Sequence, residues 1–523
     1  MGVIIDSPQN ILQIFKKKLS REDKVAFIST IIVGILTHIY LFTNNIFNSD
    51  GVLTGPYQSG YMWELSIGRW ALEYFGRIGT GFTLPIVIGT ISIICLGAIS
   101  CLITNLFHLK ESINIILVSC IIVTFPSITA TFGFVFTADV YMISYLLSVL
   151  SLYIVERNKN LKGIAIGAII LSISMGIYQA YIGVSIMLVV ILLILSLLNN
   201  NNIKKTLQNL FIYFIYGVLG TGVYFIILKI FLKIKNTTLA SYRGIDEIGK
   251  ITLGSLPSII KSIYKYFYEF LFTRNIYYNS KLRMLLYALI ILSILSLICI
   301  VIIKNKIYKN YISAVFIFIL LLSIPIIAAI MKILAPNTNI SMLMIPQFAL
   351  VFVLPVILLE KVDCKNINLI KWITTVTCIL LAFNYYLLDN VAYLNLQLQY
   401  EKAYSIANRI TERIEMNEEY VPGMKVAIIG GLNNGNYQSV IPAEKEVLKG
   451  IDCIDYDYPF YDNETRSLTN FINNYIGVNL QETSREEIDS IRQKEEFKNM
   501  KNFPDKESVK VIDNNMVIKL SDI

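Results

Sequence analysis

Apolar residues along this chain form long uncharged blocks that are separated by polar connections. Four of the blocks, 84–107, 113–131, 284–303 and 340–359, reach or approach the roughly 20 residues that a helix needs to cross a bilayer. A repeated pattern of this kind predicts several spans joined by loops on the two sides of a membrane. The sequence therefore predicts an α-helical polytopic membrane protein.

We predict about eleven spans in total. The uncharged stretch 163–198 must contain two of them, because a single helix of that length would measure about 54 Å against a hydrocarbon core of about 30 Å. The break between the two is expected near Tyr178-Gln179-Ala180-Tyr181. The predicted spans are 26–43, 84–107, 113–131, 140–155, 163–180, 181–198, 209–232, 284–303, 312–331, 340–359 and 373–388.

Basic residues lie mainly in the connections that this threading places in the cytoplasm, as the positive-inside rule requires. The N-terminus is then expected inside, with loops 44–83 and 233–283 and the tail from residue 389 outside. The first apolar block, 26–43, has no small-residue cleavage site after it, so we interpret it as a permanent span. Every long polar segment is thus predicted to lie on the outer face, where soluble nucleotide-linked donors are absent.

Composition excludes an ordinary soluble enzyme. The 523 residues are 55% hydrophobic and only 16% charged, whereas soluble domains carry about 25% charged residues. The net charge of +8 does not indicate nucleic-acid binding, because the Lys and Arg residues cluster beside the apolar blocks. The seven cysteines show no CxxC spacing and support neither a zinc site nor a disulfide framework. The two histidines are predicted in a span and a cytoplasmic loop, so a catalytic base on an outer loop must be another residue.

The tail divides into a connecting helix, 389–420, and a small α/β domain, 421–523, which follow a membrane domain of residues 1–388. Helical spacing of apolar residues predicts the connecting helix. The segment VAIIGG predicts a buried strand, REEIDSIRQKEEF a helix, and VKVIDNNMVIKL a hairpin that turns at Asn514-Asn515. The glycines after VAIIGG match no nucleotide-binding motif and are interpreted as a plain turn.

Two carboxylates are the candidate catalytic residues. Asp50 follows the first span, and Asp139 begins the fourth on the same predicted face. A carboxylate within hydrogen-bond reach of a hydroxyl can act as its general base. The alternative is structural, with Asp50 as a turn residue before Gly51 and Asp139 as an N-terminal helix residue that compensates the dipole.

Arginines of the two predicted outer loops are candidates for binding a phosphate, since the planar guanidinium suits phosphate oxygens. Arg69 is the first choice, Arg243 in a polar turn the second and Arg77 the third. The alternative for Arg69 and Arg77 is an ion-pair ladder with Glu73 on one interfacial helix. The predicted substrate-binding residues are Glu64, Tyr178, Gln179 and Tyr242.

Loop 233–283 also contains SLPSIIKSIYKYFYEFLFTRNIYY, in which aromatic residues are mixed with Lys261, Lys265 and Glu269. This mixture predicts a helix that lies in the membrane interface. The helix is expected either to line the access route of an isoprenoid chain or to serve only as an aromatic belt.

Together these segments resemble the bacterial Gtr-type glucosyltransferases, membrane enzymes of the GT-C class that modify O-antigen and related envelope polymers. The stretches that carry the resemblance are NSDG, SGYMWELSIGRW, FP followed by TADVYMISYLLSVL, GIYQAYIGVSI and SYRGID. They cover roughly residues 30–250 in the family's order. Family members often have a second acidic residue beside the loop-one aspartate, and this chain has Ser49 there.

The resemblance implies a multi-pass enzyme of the bacterial cytoplasmic membrane that uses a sugar on undecaprenyl phosphate and an envelope glycan acceptor such as O-antigen or a teichoic-acid-like polymer. It implies inverting transfer of a hexose, with a donor synthase and a flippase as partners. No cofactor is required, and a divalent metal is compatible with the chemistry. The alternatives are a flippase or transporter of lipid-linked glycans, which should show charged spans and an internal repeat, and a glycan polymerase or ligase, which should show more basic outer loops.

Overall fold

The computed structural model describes most of the chain and is predominantly helical. The described residues are 19–44, 46–58, 60–76, 81–200, 202–242, 253–336, 338–362, 367–432, 444–452, 454 and 465–522.

Helices account for the membrane part of the chain. In order they are α1 (Arg21–Thr43), α2 (Ser49–Thr54), α3 (Met62–Ser66), α4 (Leu72–Gly76), α5 (Pro85–Phe107), α6 (Ser112–Thr124), α7 (Pro126–Phe132), α8 (Ala138–Arg157), α9 (Leu161–Ile177), α10 (Ile182–Asn200), α11 (Ile203–Ile234), α12 (Leu256–Phe272), α13 (Lys281–Lys304), α14 (Tyr311–Ala328), α15 (Met331–Leu334), α16 (Gln347–Lys361) and α17 (Asn368–Glu415).

Eight helices among the described residues are long and apolar enough to cross a membrane, or nine if the bent pair α6 and α7 forms one span. That pair bends by 43° where Pro126 begins α7, because proline disfavours helical geometry in the residue before it. Two further predicted spans correspond to shorter helices, α9 with 17 residues and α16 with 15. The protein is therefore membrane-embedded, with fewer full-length candidate spans than the eleven predicted.

The predicted break in the stretch 163–198 is confirmed. Helix α9 ends at Ile177, a single 3₁₀ turn covers Gln179–Tyr181, and α10 begins at Ile182. The turn is buried, and the Tyr178 backbone N–H donates to Ser174 at 2.9 Å to close the preceding helix.

The last predicted span and the predicted connecting helix form one continuous helix, α17, of 48 residues. It is fixed in the bundle by polar contacts, since the Thr129 hydroxyl donates to Asp389 at 2.5 Å and Arg283 donates to Asn384 at 2.7 Å. This helix carries the chain from the bundle to the C-terminal domain.

Among the described residues, the C-terminal domain contains a four-stranded sheet and short helices, and the predicted buried strand and hairpin are part of that sheet. The strands are β1 (Lys425–Ile429), β2 (Gln481–Glu482), β3 (Val509–Ile512) and β4 (Asn515–Lys519), in the order β2-β1-β4-β3. Strand β1 is parallel to β2 and β4, and β3 and β4 form the antiparallel hairpin. The helices are α18 (Glu444–Val447), α19 (Thr465–Phe471), α20 (Arg485–Gln493) and α21 (Glu495–Lys498).

The hairpin turn lies one residue earlier than predicted. Asp513 and Asn514, not Asn514 and Asn515, occupy its centre, with φ of 49° and 58°. A two-residue turn of type I′ requires positive φ at both central positions, and Asp and Asn tolerate that conformation. The predicted helix 485–497 is also interrupted, because Lys494 adopts an extended conformation between α20 and α21.

The prediction that residues 61–77 form one interfacial helix is wrong. The segment is divided into α3 and α4, with Gly68 between them at φ +84°. A positive φ ends a right-handed helix, and glycine adopts it without strain. The proposed ladder of Arg69, Glu73 and Arg77 is therefore not formed on one continuous helix, and Arg77 lies outside the described residues.

Candidate active site

A cavity of about 330 Å³ lies where the first polar loop meets the ends of several helices. Its wall comes from six parts of the chain that are remote in sequence, including the C-terminal domain. The lining residues are Asp50, Leu53, Thr54, Trp63, Glu64, Ile67, Arg69, Leu72, Phe134, Phe136, Thr137, Tyr141, Tyr178, Tyr242, Ser341, Leu343 and Asp452. Five residues predicted from the sequence therefore meet here: Asp50, Glu64, Arg69, Tyr178 and Tyr242.

Arg69 is held rigidly in the wall of this cavity. Its Nη1 donates to the Tyr141 hydroxyl at 2.7 Å, and its guanidinium carbon lies 4.8 Å from the centre of the Tyr178 ring. The rings of Tyr141 and Tyr178 stack with centroids 4.7 Å apart, so they fix the plane on which the guanidinium rests. Within the described part of the chain, the buried Nε of Arg69 has no hydrogen-bond partner. The arrangement presents a fixed cation with donor capacity remaining.

The predicted residue Gln179 supports the position of Arg69 but does not itself line this cavity. Its Nε2 donates to the Ile67 carbonyl at 2.8 Å and to the Tyr224 hydroxyl at 3.1 Å. The Tyr224 hydroxyl in turn donates to the Gly68 carbonyl at 3.0 Å. The turn between α9 and α10 thus fixes the backbone of Ile67 and Gly68 between α3 and α4, and Arg69 is the next residue in the chain.

Glu64 lies in the same wall and is partly buried. Gln58 donates to its carboxylate at 2.8 Å. Burial raises the pKa of Glu64, while a backbone hydrogen bond, the charge of Arg69 and the bond from Gln58 act in the opposite direction. Glu64 is therefore placed to balance the charge of Arg69 electrostatically.

Asp50 is the exposed carboxylate of the cavity. It is the second residue of α2, a helix capped by Asn48, whose side-chain oxygen accepts from the Gly51 backbone N–H at 2.9 Å. Because Asn48 provides the cap, Asp50 is not needed for that role, and its side chain lines the cavity.

Asp139 is not among the residues that line this cavity. Its carboxylate accepts a hydrogen bond from the Val140 backbone N–H at 2.8 Å, in the first turn of α8. This contact agrees with the structural alternative, in which the carboxylate compensates the N-terminal helix dipole. The proposed catalytic role of Asp139 stays a prediction.

Tyr242, the last predicted substrate contact, lines the cavity with Trp63, and the two rings meet edge to face at 5.3 Å. Arg243 lies outside the described residues. Trp63, Tyr141 and Asp452 also line the cavity and were not predicted from the sequence. Tyr141 stands two positions from Asp139 in the stretch TADVYMISY and could have been identified there, whereas no local signal marks Asp452.

Among the described residues, no group of three or more His, Cys, Asp or Glu side chains is arranged to hold a metal ion. The cavity combines a fixed guanidinium with carboxylates on a wall of aromatic rings. Guanidinium groups bind phosphate oxygens, carboxylates accept from hydroxyls, and aromatic rings pack against sugar faces.

A helical membrane bundle with a polar, partly aromatic cavity at the ends of its helices defines a membrane protein built to bind a polar ligand. Residues 39–354, more than half of the chain, match the family described as Glucosyl transferase GtrII. The chain therefore belongs to the GtrII glucosyl transferase family, and the resemblance found from its sequence is confirmed. No curated protein matches the chain. No solved structure matches it either.

Proposed function

We propose that this protein transfers a hexose, glucose by its family, from undecaprenyl phosphate to a hydroxyl group of a cell-envelope glycan. One observation carries the proposal: Arg69 and Asp50 line the same cavity at the end of a membrane-embedded bundle. A lipid-linked donor places its phosphate at a membrane surface, where a rigid guanidinium stabilises negative charge.

The reaction is a direct displacement at the anomeric carbon. The acceptor oxygen forms a bond to that carbon as its proton passes to Asp50, and the bond from the carbon to the phosphate oxygen breaks. The electron pair leaves with the polyprenyl phosphate, whose developing charge Arg69 stabilises. Attack from the face opposite the leaving group inverts the anomeric configuration. Because phosphate is already a good leaving group, the scheme needs no general acid and no metal.

The proposal includes a topology of GT-C type. Eleven spans leave the N-terminus in the cytoplasm and place the cavity and the C-terminal domain on the outer face of the bacterial cytoplasmic membrane. The supporting observation is the distribution of Lys and Arg among the short connections. A donor synthase and a flippase would supply the lipid-linked sugar on that face.

Transfer of labelled sugar from a polyprenyl-phosphate donor to envelope polymer tests the proposal. Membranes containing wild type, Asp50→Asn, Asp139→Asn and Asp489→Asn are compared at matched expression. Asp50→Asn keeps the side chain's size and removes the base, so transfer should fall at least about a hundredfold. Asp139→Asn tests the second candidate, and because its carboxylate lies outside the cavity wall it should reduce transfer less than Asp50→Asn does. Asp489→Asn, a change of the same kind on an exposed surface of the C-terminal domain, is the matched control and should retain transfer within a few-fold.

Each contrary outcome has a definite meaning. If Asp50→Asn keeps full transfer activity and Asp139→Asn loses it, then Asp139 is the general base and Asp50 is not. Absence of transfer by the wild type with every lipid-linked donor would favour the flippase alternative.

A further inference from the structure

Within the described part of the chain, the C-terminal domain contributes an acidic residue to the cavity. Asp452 lines it together with Asp50, Glu64 and Arg69. The Oδ2 atom of Asp452 accepts a hydrogen bond from the Leu343 backbone N–H at 3.1 Å, and Leu343 is itself a wall residue. Residue 452 lies almost 100 positions beyond the segment 39–354 that matches the family. The wall of the cavity therefore includes a residue, Asp452, that lies outside the segment matched by the family.

The segment that carries Asp452 is anchored to the helical bundle on both sides. Ile451 and Ile454 are fully buried, and the Ile454 carbonyl accepts from the buried Asn395 side chain at 3.0 Å. Further back, the Tyr278 backbone N–H donates to the Lys449 carbonyl at 3.2 Å. Asp452 is thus held at the cavity by contacts with the bundle.

A second cavity of about 40 Å³ shares part of its wall with the first, and the two differ in the chemistry of their lining. It shares Arg69, Tyr178 and Tyr242 with the large cavity, but neither Asp50 nor Asp452 lines it. Its remaining lining residues are mostly apolar: Gln179, Ala180, Met331, Leu334, Ala335, Thr338 and Met344. The Arg69 guanidinium suits the phosphate of a lipid-linked donor and the apolar residues beside it suit the lipid, whereas the two aspartates suit a partner without negative charge.

We propose that Asp452 binds hydroxyl groups of the acceptor sugar and holds the reacting hydroxyl toward Asp50. The inference rests on the proposed transferase function and assigns the acceptor side of the same cavity to the C-terminal domain. The contact with Leu343 holds Oδ2 of Asp452 at the cavity wall, and a carboxylate offers about four acceptor positions for the hydroxyls of a sugar. The acceptor unit is an uncharged sugar residue, because two carboxylates would repel a phosphate-bearing one.

Steady-state kinetics with the full-length protein in proteoliposomes tests this assignment. The donor is a short-chain polyprenyl-phosphate glucose, and the acceptor is the envelope polysaccharide fraction that the wild type glucosylates. Asp452→Asn removes the charge and retains an oxygen that can accept from Leu343. The control is Asp489→Asn, a change of the same kind on an exposed surface of the same domain, where Asp489 pairs only with Arg492 at 3.3 Å among the described residues.

Asp452→Asn should raise the acceptor KM about tenfold or more and leave the donor KM unchanged, since hydrogen bonds to charged groups are stronger than neutral ones. Asp452→Glu restores the charge and should recover part of the loss. An unchanged acceptor KM, an increase in the donor KM instead, or an equal effect of Asp489→Asn would overturn the assignment. A wild type that glucosylates no polysaccharide would instead refute the proposed function on which it rests.

Discussion

Replacing Gly68 with alanine should strongly lower the rate of sugar transfer, although Gly68 is not one of the residues that line the cavity. A Cβ atom at this position would lie 2.5 Å from Gln179 Nε2 and 2.7 Å from the Tyr224 hydroxyl oxygen. Real Cβ atoms do not approach other heavy atoms so closely, so the two side chains must move. Their hydrogen bonds hold Ile67 and Gly68, and Arg69 follows directly.

The cost has two parts. A non-glycine residue at φ +84° loses roughly 1–2 kcal/mol to backbone strain. The displaced Gln179 and Tyr224 also give up three hydrogen bonds, each with a net contribution of about 1 kcal/mol. The clash should therefore add about 2–3 kcal/mol to the strain, since part of the bonding can reform.

Gly477 provides a matched control for this substitution. Its φ of +85° is nearly identical to that of Gly68, but a Cβ there meets no heavy atom within 4 Å. Gly477→Ala therefore carries the strain without the clash. Thermal unfolding of the purified variants in detergent should rank the wild type above Gly477→Ala and Gly477→Ala above Gly68→Ala.

Sugar transfer should separate the two variants more strongly than stability does. A misplacement of about 1 Å at a phosphate-binding group can cost about a hundredfold in rate, so Gly68→Ala should fall by that order while Gly477→Ala stays close to wild type. If both variants lost stability and activity equally, the close packing of Gly68 would not be what positions Arg69, and the reasoning would be refuted.

Two further predictions concern the charges in the cavity wall. Arg69→Lys should lower kcat about ten- to a hundredfold, because an ammonium group cannot reproduce the hydrogen bond to Tyr141 together with a planar contact to phosphate. Single-turnover transfer would measure the loss. An unchanged rate would mean that Arg69 does not contact the donor. Burial raises the pKa of Glu64, so its carboxylate takes up a proton as the pH falls through that raised pKa, and the charge beside Arg69 is lost. Protonation of the base Asp50 should lower the rate at acid pH in both proteins, and the wild type should show an additional acid component in its pH–rate profile that Glu64→Gln lacks. Identical limbs in both proteins would exclude Glu64 as a source.

Much of the bundle could be predicted because its signals are local. The length of the uncharged stretch 163–198 required two helices, and the turn formed at Gln179–Tyr181 as expected. The hairpin was also identified, but the position of its turn depended on which of the adjacent residues Asp513, Asn514 and Asn515 took positive φ. Its register is set by the pairing of β3 with β4, which is a property of the whole sheet.

The candidate site was only partly predictable, because a cavity depends on contacts between distant segments. Asp50, Glu64 and Arg69 could be selected since they lie close together in a polar loop beside an apolar span. The break in the helix at Gly68 was not predicted, because an isolated glycine in a helical pattern is often tolerated. The contact between Asp452 and Leu343 joins residues 109 positions apart, and no periodicity or spacing in the sequence encodes it.

The central claim is that this cavity uses a sugar carried on a lipid phosphate. It is tested most directly with the purified protein in liposomes, supplied with either labelled polyprenyl-phosphate glucose or the labelled nucleotide-linked sugar, together with envelope polysaccharide. Transfer is expected from the lipid-linked donor alone, with a product of inverted anomeric configuration and with loss of transfer in Asp50→Asn. Transfer from the nucleotide-linked sugar, or a product of retained configuration, would contradict the central claim.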